Sequence, residues 1–353
     1  MKRTASSSSQ HSILLKSLPF LGIAVIVIPL VVFISEHALH KQQQALATTP
    51  IYWGAITDES INTFEAHVGK NVSIIQFGKG WWFQNRYVPF NASDFESIRQ
   101  SGSIPMIDWR SWDYTVVPEY QQPRFSLSSI IDGTHDTFIR SWAIAARQWG
   151  HPFFLRFDAE QNGNWYPWSE LRNGNTAGQF VQAWRHVHDI FTQVGATNVT
   201  WVWCPNVDYP GAIPLAELYP GDRYVDWVAM DGYNYGTDPS RPTGWKSFYD
   251  LFAPTYNELQ TLAPKKPLMI AETASTEDGG SKAAWITDAL KVQLPTNFPK
   301  IKAFLWYNAN DDNIGLVVET SASAQAAFAS GIASAYYVSN SFGTITMSPI
   351  QAP

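Results

Sequence analysis

Short apolar runs rich in β-branched and aromatic residues recur along this chain at 51–57, 72–78, 104–110, 153–160, 199–206, 225–234, 268–273 and 301–308. Each has the length and composition of a strand, which predicts eight of them. Stretches with helical spacing lie between or after them, clearest at 136–150, 177–195, 247–262 and 324–337. Gly150 and Gly195 close two of these stretches where a C-terminal cap is expected. The helices at 60–68 and around 215–218 are only weakly marked. Strand and helix alternating eight times imply a parallel sheet, and eight units close naturally into a (β/α)8 TIM barrel. The barrel is expected over residues 51–340, with 341–353 as a loose C-terminal tail.

The first fifty residues follow another pattern. Lys2, Arg3 and Lys16 stand in a basic segment, 1–17, ahead of the uncharged apolar run 18–34, LPFLGIAVIVIPLVVFI. That run is at the short end of a membrane-spanning helix and longer than the core of a signal peptide. Positive charge before it predicts that the N-terminus stays inside and the bulk of the chain outside. Ala45-Leu46-Ala47 has the small-x-small form of a cleavage site but lies far beyond the run, which favours an uncleaved anchor over a cleaved signal. Either way the chain is expected outside the cytoplasm, with the polar, Gln-rich stretch 35–50 as a linker.

Composition narrows the partners. With 16 Trp, 15 Tyr and 20 Phe but only 15% charged residues, the aromatic load fits a carbohydrate partner as well as a core. The net charge of −6 supplies no basic footprint, and nucleic acid is discounted as a partner. The single cysteine, Cys204, lies in an apolar run and reads as a core thiol. His186 and His188 are two apart on a predicted helix and do not share a face, so they are poor metal ligands. Asp311-Asp312-Asn313 lacks the pattern of a dedicated calcium loop and reads as a solvated turn. No metal or cofactor is expected, and the chain is expected to be a monomer. No GxSxG elbow, HExxH pair or P-loop is present in the sequence.

The polar residues instead collect at strand ends, where a barrel of this kind carries its active site. They are Asp108, Trp109 and Arg110 on the third predicted strand, Glu160 on the fourth and Asn206 on the fifth. Asp231 and Tyr233 end the sixth, Glu272 the seventh, and Trp306, Tyr307 and Asn308 the eighth. Glycoside hydrolysis needs one carboxyl group to protonate the leaving oxygen and a second to attack or to activate water. The fourth and seventh strands lie roughly opposite one another, so Glu160 and Glu272 can flank a bound sugar. Either glutamate alone has an ordinary alternative, a surface loop residue for Glu160 and a helix-capping acid for Glu272; at the ends of two matching strands they form a pair. Alternation along the strand predicts that Arg156 and Asp158 point into the barrel with Glu160, the arginine holding a carboxylate ionised. Trp81, Trp82, Trp109, Trp165 and Trp168 lie at strand ends or in the loops after them, with packing beneath the loops as the alternative to sugar contact. Trp165 and Trp168 are the candidate sugar platforms.

These residues also carry a resemblance. RFDAEQNGNWYPW, from Arg156 to Trp168, resembles the acid/base segment of glycoside hydrolase family 26, which usually reads Arg, two residues, His-Glu, one residue, Asn-Gly and then tryptophans. The likeness continues through IIDGTHDTFIRSWAIAARQWG, WVWCPN, YVDWVAMDGYN, KPLMIAETAS and FLWYN, in family order and across nearly all of 51–340. It implies a retaining endo-β-glycanase on a clan A barrel, with Glu160 as acid/base and Glu272 as nucleophile. It further implies that Tyr233 hydrogen-bonds the nucleophile, that Trp306 floors the site, and that the substrate is β-linked: β-mannan or mixed-linkage β-1,3-1,4-glucan. Retention requires the carboxyl groups about 5–5.5 Å apart. Two positions depart from the family pattern: Ala159 replaces the usual histidine and cannot hydrogen-bond a sugar hydroxyl, and Thr273-Ala274 replaces an aromatic-glycine pair. The alternative is a cell-surface glycan-binding barrel that has lost catalysis, which needs the tryptophans but not both carboxylates.

Overall fold

The computed structural model describes residues 49–241, 243–310 and 314–353; the expected membrane segment and the Asp311-Asp312-Asn313 turn lie outside the described residues. The strands are β1 (Tyr52–Thr57), β2 (Ile74–Phe83), β3 (Arg86–Tyr87), β4 (Ile104–Asp113), β5 (Phe153–Phe157), β6 (Val199–Trp203), β7 (Trp227–Asn234), β8 (Leu268–Ser275) and β9 (Ile301–Asn308). All but β3 pair in parallel in the order β1-β9-β8-β7-β6-β5-β4-β2, and β1 pairs β2 to close the ring. This is the (β/α)8 barrel. β3 is an addition: β2 runs past Gly78 and turns back through Gln84 and Asn85, both at positive φ, as a two-residue hairpin requires.

Alternation sorts the side chains into two apolar layers. Tyr52, Ile74, Met106, Phe154, Val202, Ala229, Met269 and Leu305 fill the barrel interior. Trp53, Ile107, Leu155, Trp203, Val228, Ile270 and Phe304 face outward, under the helices. Of the predicted helices, α1 (Ile61–Val68), α4 (Asp136–Trp149), α5 (Gln179–Val194), α6 (Leu215–Leu218) and α7 (Phe248–Leu262) form close to their sequence bounds, whereas α9 (Ala322–Ile332) ends short of the expected 337, where Tyr337 instead bridges to Ile51. On α4, Phe138, Ile139, Trp142, Ala143 and Ala146 make the buried stripe, and Gly150 takes the left-handed cap at φ 78 that a Cβ would strain. Further helices are α2 (Ala92–Gln100), α3 (Leu127–Ile131) and α8 (Lys282–Asp288), the last continuing as π-helical turns over Ala289–Asn297.

The C-terminal residues are not a loose tail. Phe342 donates its N–H to Gly102 O at 2.7 Å and meets the Tyr52 ring edge-on at 5.0 Å. Ile350 is buried in the interior layer, its N–H on Thr200 Oγ1 and its carbonyl accepting from Trp227 Nε1, both at 2.8 Å. The tail therefore plugs the N-terminal mouth of the barrel. A run of small and polar residues gave no periodic sign of this, because its fit depends on an opening that exists only once the ring has closed.

Candidate active site

β5 stops at Phe157, earlier than its apolar run predicts, because Asp158 (φ 44) and Glu160 (φ 58) both take left-handed backbone. Such conformations are costly for residues with a Cβ and persist only where neighbours hold them. Here Asp158 N–H reaches Trp109 O at 3.2 Å on the β4 side, while Glu160 N–H reaches Cys204 O at 2.7 Å on the β6 side. The break ends the alternation, so Asp158 does not join Glu160 in the site. Its carboxyl turns to β4 and accepts from Ser111 N–H at 2.7 Å and Ser111 Oγ at 2.6 Å. Burial pushes its pKa well above the usual range despite those bonds.

Glu160 is held by neutral donors. Asn206 Nδ2 donates to Oε1 at 3.0 Å and Trp165 Nε1 to Oε2 at 2.7 Å. The two loops are locked together by Asn162, which accepts from Asn206 N–H and donates to Asn206 O, both at 2.8 Å. Burial raises the Glu160 pKa, the negative charge of Glu272 raises it further, and the Asn206 and Trp165 bonds pull the other way.

Glu272 stands opposite on β8 among charged and strongly donating groups. Arg156 Nη2 and Gln76 Nε2, the latter at 2.7 Å, both donate to Oε1, and Tyr233 Oη donates to Oε2 at 2.5 Å. Arg156 is fully buried and also binds Asp231 through Nη1 at 2.6 Å and lies 3.1 Å from Asp108. Arg110 pairs with Asp108 as well. Burial would raise the Asp108 pKa, but Arg110 and Arg156 outweigh it and hold that carboxyl below its ordinary value. Asp231 goes the other way: burial dominates, and Glu272 adds to it. Cys204, buried as expected of a core thiol, donates to Asp231 Oδ1 at 3.1 Å.

The structure thus brings Glu160, Glu272, Arg156, Tyr233 and Trp165 to one place and puts three expected site rings elsewhere. Trp109 points outward by strand alternation and packs on Trp81, Trp142 and Phe157 beneath the helices. Trp306 does the same, against Phe328 and Trp285, and it is the next residue, Tyr307, that meets Tyr233 edge-on at 5.5 Å. Trp168 is fully buried, its Nε1 on Ala159 O at 2.8 Å, and it supports the loop from below rather than offering a face. Partly buried rings around the site belong to Trp165, Tyr166, Tyr209, Tyr233 and Tyr307. Gln76 is the residue that sequence reasoning missed. It is a lone amide in the apolar run IIQF, two residues from the inward-facing Ile74, and those two facts together were its signal. Away from this site, Glu59, His67 and Glu319 bring possible metal-ligand atoms within 4.8 Å of one another, with His67 Nδ1 on Glu319 Oε1 at 2.9 Å.

Two carboxyl groups on opposed strands at the C-terminal face of a (β/α)8 barrel, one among neutral donors and one among cationic and phenolic ones, define a barrel of the glycosidase type. Comparison with known proteins narrows the class. The model of Glycosyl hydrolase family 26 matches residues 138–286. Endoglucanase H of Acetivibrio thermocellus is 35% identical over 259 residues, 72% of this chain and 27% of that protein. Mannan endo-1,4-beta-mannosidase A and B of Caldalkalibacillus mannanilyticus is 31% identical over 125 residues, 33% of this chain and 21% of that protein. The aligned regions thus cover about a quarter of the length of these curated relatives. Among solved structures, the β-mannanase from a symbiotic protist of the termite Reticulitermes speratus superposes with a TM-score of 0.60 at 17% identity, covering 86% of this chain and 93% of that one. The β-mannanase of Bacteroides ovatus gives 0.59 at 15%, covering 85% and 93%. The chain belongs to glycoside hydrolase family 26.

Proposed function

We propose that this chain is a retaining endo-β-glycanase that hydrolyses β-mannan or mixed-linkage β-1,3-1,4-glucan by double displacement. The observation that carries this reading is the unlike setting of the two glutamates. Glu160, its pKa raised by burial and by Glu272, retains a proton to give to the glycosidic oxygen. Glu272 has both oxygens fixed by donors from Arg156, Gln76 and Tyr233, the arrangement an attacking carboxylate needs. As the bond to the leaving oxygen breaks, Glu272 attacks the anomeric carbon. Glu160, now ionised, takes a proton from the water that then releases the sugar. Tyr307, rather than Trp306, supplies the ring beside Tyr233 against which the sugar lies.

Ala159 is buried among the interior apolar residues, and its side chain offers no hydrogen bond. With a relative named endoglucanase matching most of this chain, it makes mixed-linkage β-glucan the first polymer to test. The experiment is reducing-sugar release from mixed-linkage β-glucan, β-mannan, β-1,3-glucan and xylan, with Glu272→Ala alongside. Release from one polymer, down about 10⁴-fold or more in the variant, supports both substrate class and nucleophile. Release retained in the variant removes Glu272 from the mechanism. No release by the wild-type chain turns the reading to a glycan-binding barrel, with Ala159→His the first restoration to try.

The chain is further proposed to act outside the cytoplasm, tethered by residues 18–34, on the strength of that uncharged apolar run and the Lys2, Arg3 and Lys16 charges before it. Alkaline extraction of membranes from expressing cells should leave the full chain in the pellet and free a chain that starts at Thr49. Release of both would remove the anchor.

A further inference from the structure

The loops after β4 and β5 carry more than the catalytic face. Among the described residues, four of the eight exposed large apolar side chains, Tyr114, Val117, Tyr120 and Leu171, stand on these loops. Scattered singly such residues need no explanation, but Tyr120 and Leu171 face one groove. Between the loops runs a groove of about 530 Å³, lined by Tyr120, Gln121, Pro123, Glu170, Leu171 and Arg172, among others. The Arg172 guanidinium lies over the Tyr120 ring at 4.7 Å.

The groove is braced before any ligand arrives. Asn173, at φ 55, accepts from Gln122 N–H and donates to Gln122 O, both at 2.9 Å, stitching one wall to the other. Asn175 accepts from Leu127 N–H at 2.8 Å and donates to Pro167 O at 2.7 Å. Glu170 Oε1 accepts from Phe180 N–H at 2.8 Å. A site fixed in this way does not spend binding energy on ordering its own loops.

We infer that this groove is a second glycan-binding site, holding a stretch of β-linked polysaccharide outside the catalytic cleft. The inference rests on the proposed function for its ligand. Its chemistry is that of a neutral, hydroxylated chain: an aromatic and aliphatic flank for the C–H faces of sugar rings, with a guanidinium, an amide and a carboxyl for hydroxyls. Glu170 beside Arg172 argues against an anionic ligand. Continuity argues for the same polymer. Arg110 and Trp112 end β4, and the loop after it carries Tyr120; the loop after β5 carries Glu160 and Trp165 at its root and Arg172 further on. A long chain can be gripped on the shoulder while a neighbouring stretch is cut, which raises its effective concentration at the cleft.

The test uses Tyr120→Ala and, separately, Leu171→Ser. Arg172 is left alone, because its Nε donates to Asn164 O at 2.6 Å in the loop that carries Trp165. In the full chain bearing Glu272→Ala, migration through a gel containing mixed-linkage β-glucan or β-mannan is retarded, and each second substitution weakens that retention about fivefold. With Glu272 intact, KM for the polymer rises by a similar factor while kcat holds, and hydrolysis of a tetrasaccharide too short to span both sites is unchanged. Retention and polymer KM equal to the parent in both variants overturn the inference, and so does a tetrasaccharide rate that falls in step with the polymer rate. Failure of the function reads differently. A wild-type chain that releases no sugar, yet is retarded in a Tyr120-dependent way, loses the hydrolase reading and keeps the groove.

Discussion

The ends of β5 and β8 each bring one glutamate to the same face, by opposite means. β8 continues as a strand to Ser275, but a bulge at Ala271–Glu272 shifts its register against both β7 and β9 and sets Glu272 opposite Asp231 on β7. Its partners Gln76, Arg156 and Tyr233 come from strands, where position is fixed by the sheet. β5 breaks off, and Glu160 sits on left-handed backbone in a loop, touched by an amide and an indole. The difference fits the roles proposed for the two groups. A carboxylate that attacks needs its lone pairs aimed and its charge matched. A carboxyl that must give up and regain a proton needs positioning without a cation at contact distance, since a guanidinium there would favour the ionised form throughout the cycle. The strain that frees Glu160 from the ladder is met by Asp158 on Ser111 and by the Asn162–Asn206 clasp.

The charged half should be the easier to break. Arg156→Ala leaves Asp108, Asp231 and Glu272 buried without their shared partner, and such a loss costs about 3–5 kcal/mol. A urea titration should show a lower midpoint, together with near-complete loss of turnover. Arg156→Lys keeps the charge but lacks the planar fork that spans Asp231 and Glu272, and should recover less than half of the stability. A midpoint unchanged in Arg156→Ala would mean that those carboxyl groups are protonated or solvated in the fold, and the contrast between the two ends would lose its charged side.

The neutral half should fail more selectively. On the proposed mechanism Glu160→Ala removes the proton donor but not the nucleophile, so hydrolysis of polymer should fall about 10²–10⁴-fold. An aryl glycoside whose phenol leaves unaided should still form the glycosyl-enzyme at close to the parent rate, seen as a burst before slow turnover. Equal losses on both substrates would deny Glu160 the role of acid.

How much of this could be read in the chain depends on whether the signal is local. The eight strands, and Glu160 and Glu272 at two of their ends, follow from apolar runs that end in polar residues. The orientation of Arg156 follows from alternation, and the same rule applied to Trp109 and Trp306 would have turned both outward: each is one residue out of phase with the interior set that holds Met106 and Leu305. Their indoles pointed to sugar by type, whereas register put them under helices. Asp158 failed for the opposite reason, since alternation holds only while the strand does, and neither left-handed residue is a glycine that would have flagged the break. Trp168 and the C-terminal plug depend on long-range fit. Trp168 needs the Ala159 carbonyl brought over it, and Ile350 needs a finished barrel mouth.

The smallest expected effect is the most pointed check on the neutral side. If Glu160 is the group that must be protonated, the alkaline limb of kcat/KM marks its loss of a proton in the free enzyme. Burial and the Glu272 charge raise its pKa, and the Asn206 and Trp165 bonds lower it by favouring the ionised form. Asn206→Ala deletes one of the lowering bonds, so the carboxyl should hold its proton to higher pH and the alkaline limb should move up. The loops should stay joined, because Asn162 clasps Asn206 through its backbone N–H and carbonyl, which alanine keeps. Trp165→Phe should move the limb in the same direction while preserving most of the ring. An alkaline limb that stays in place in both variants, or moves down, would assign it to another group, with Tyr233 on Glu272 the first to examine.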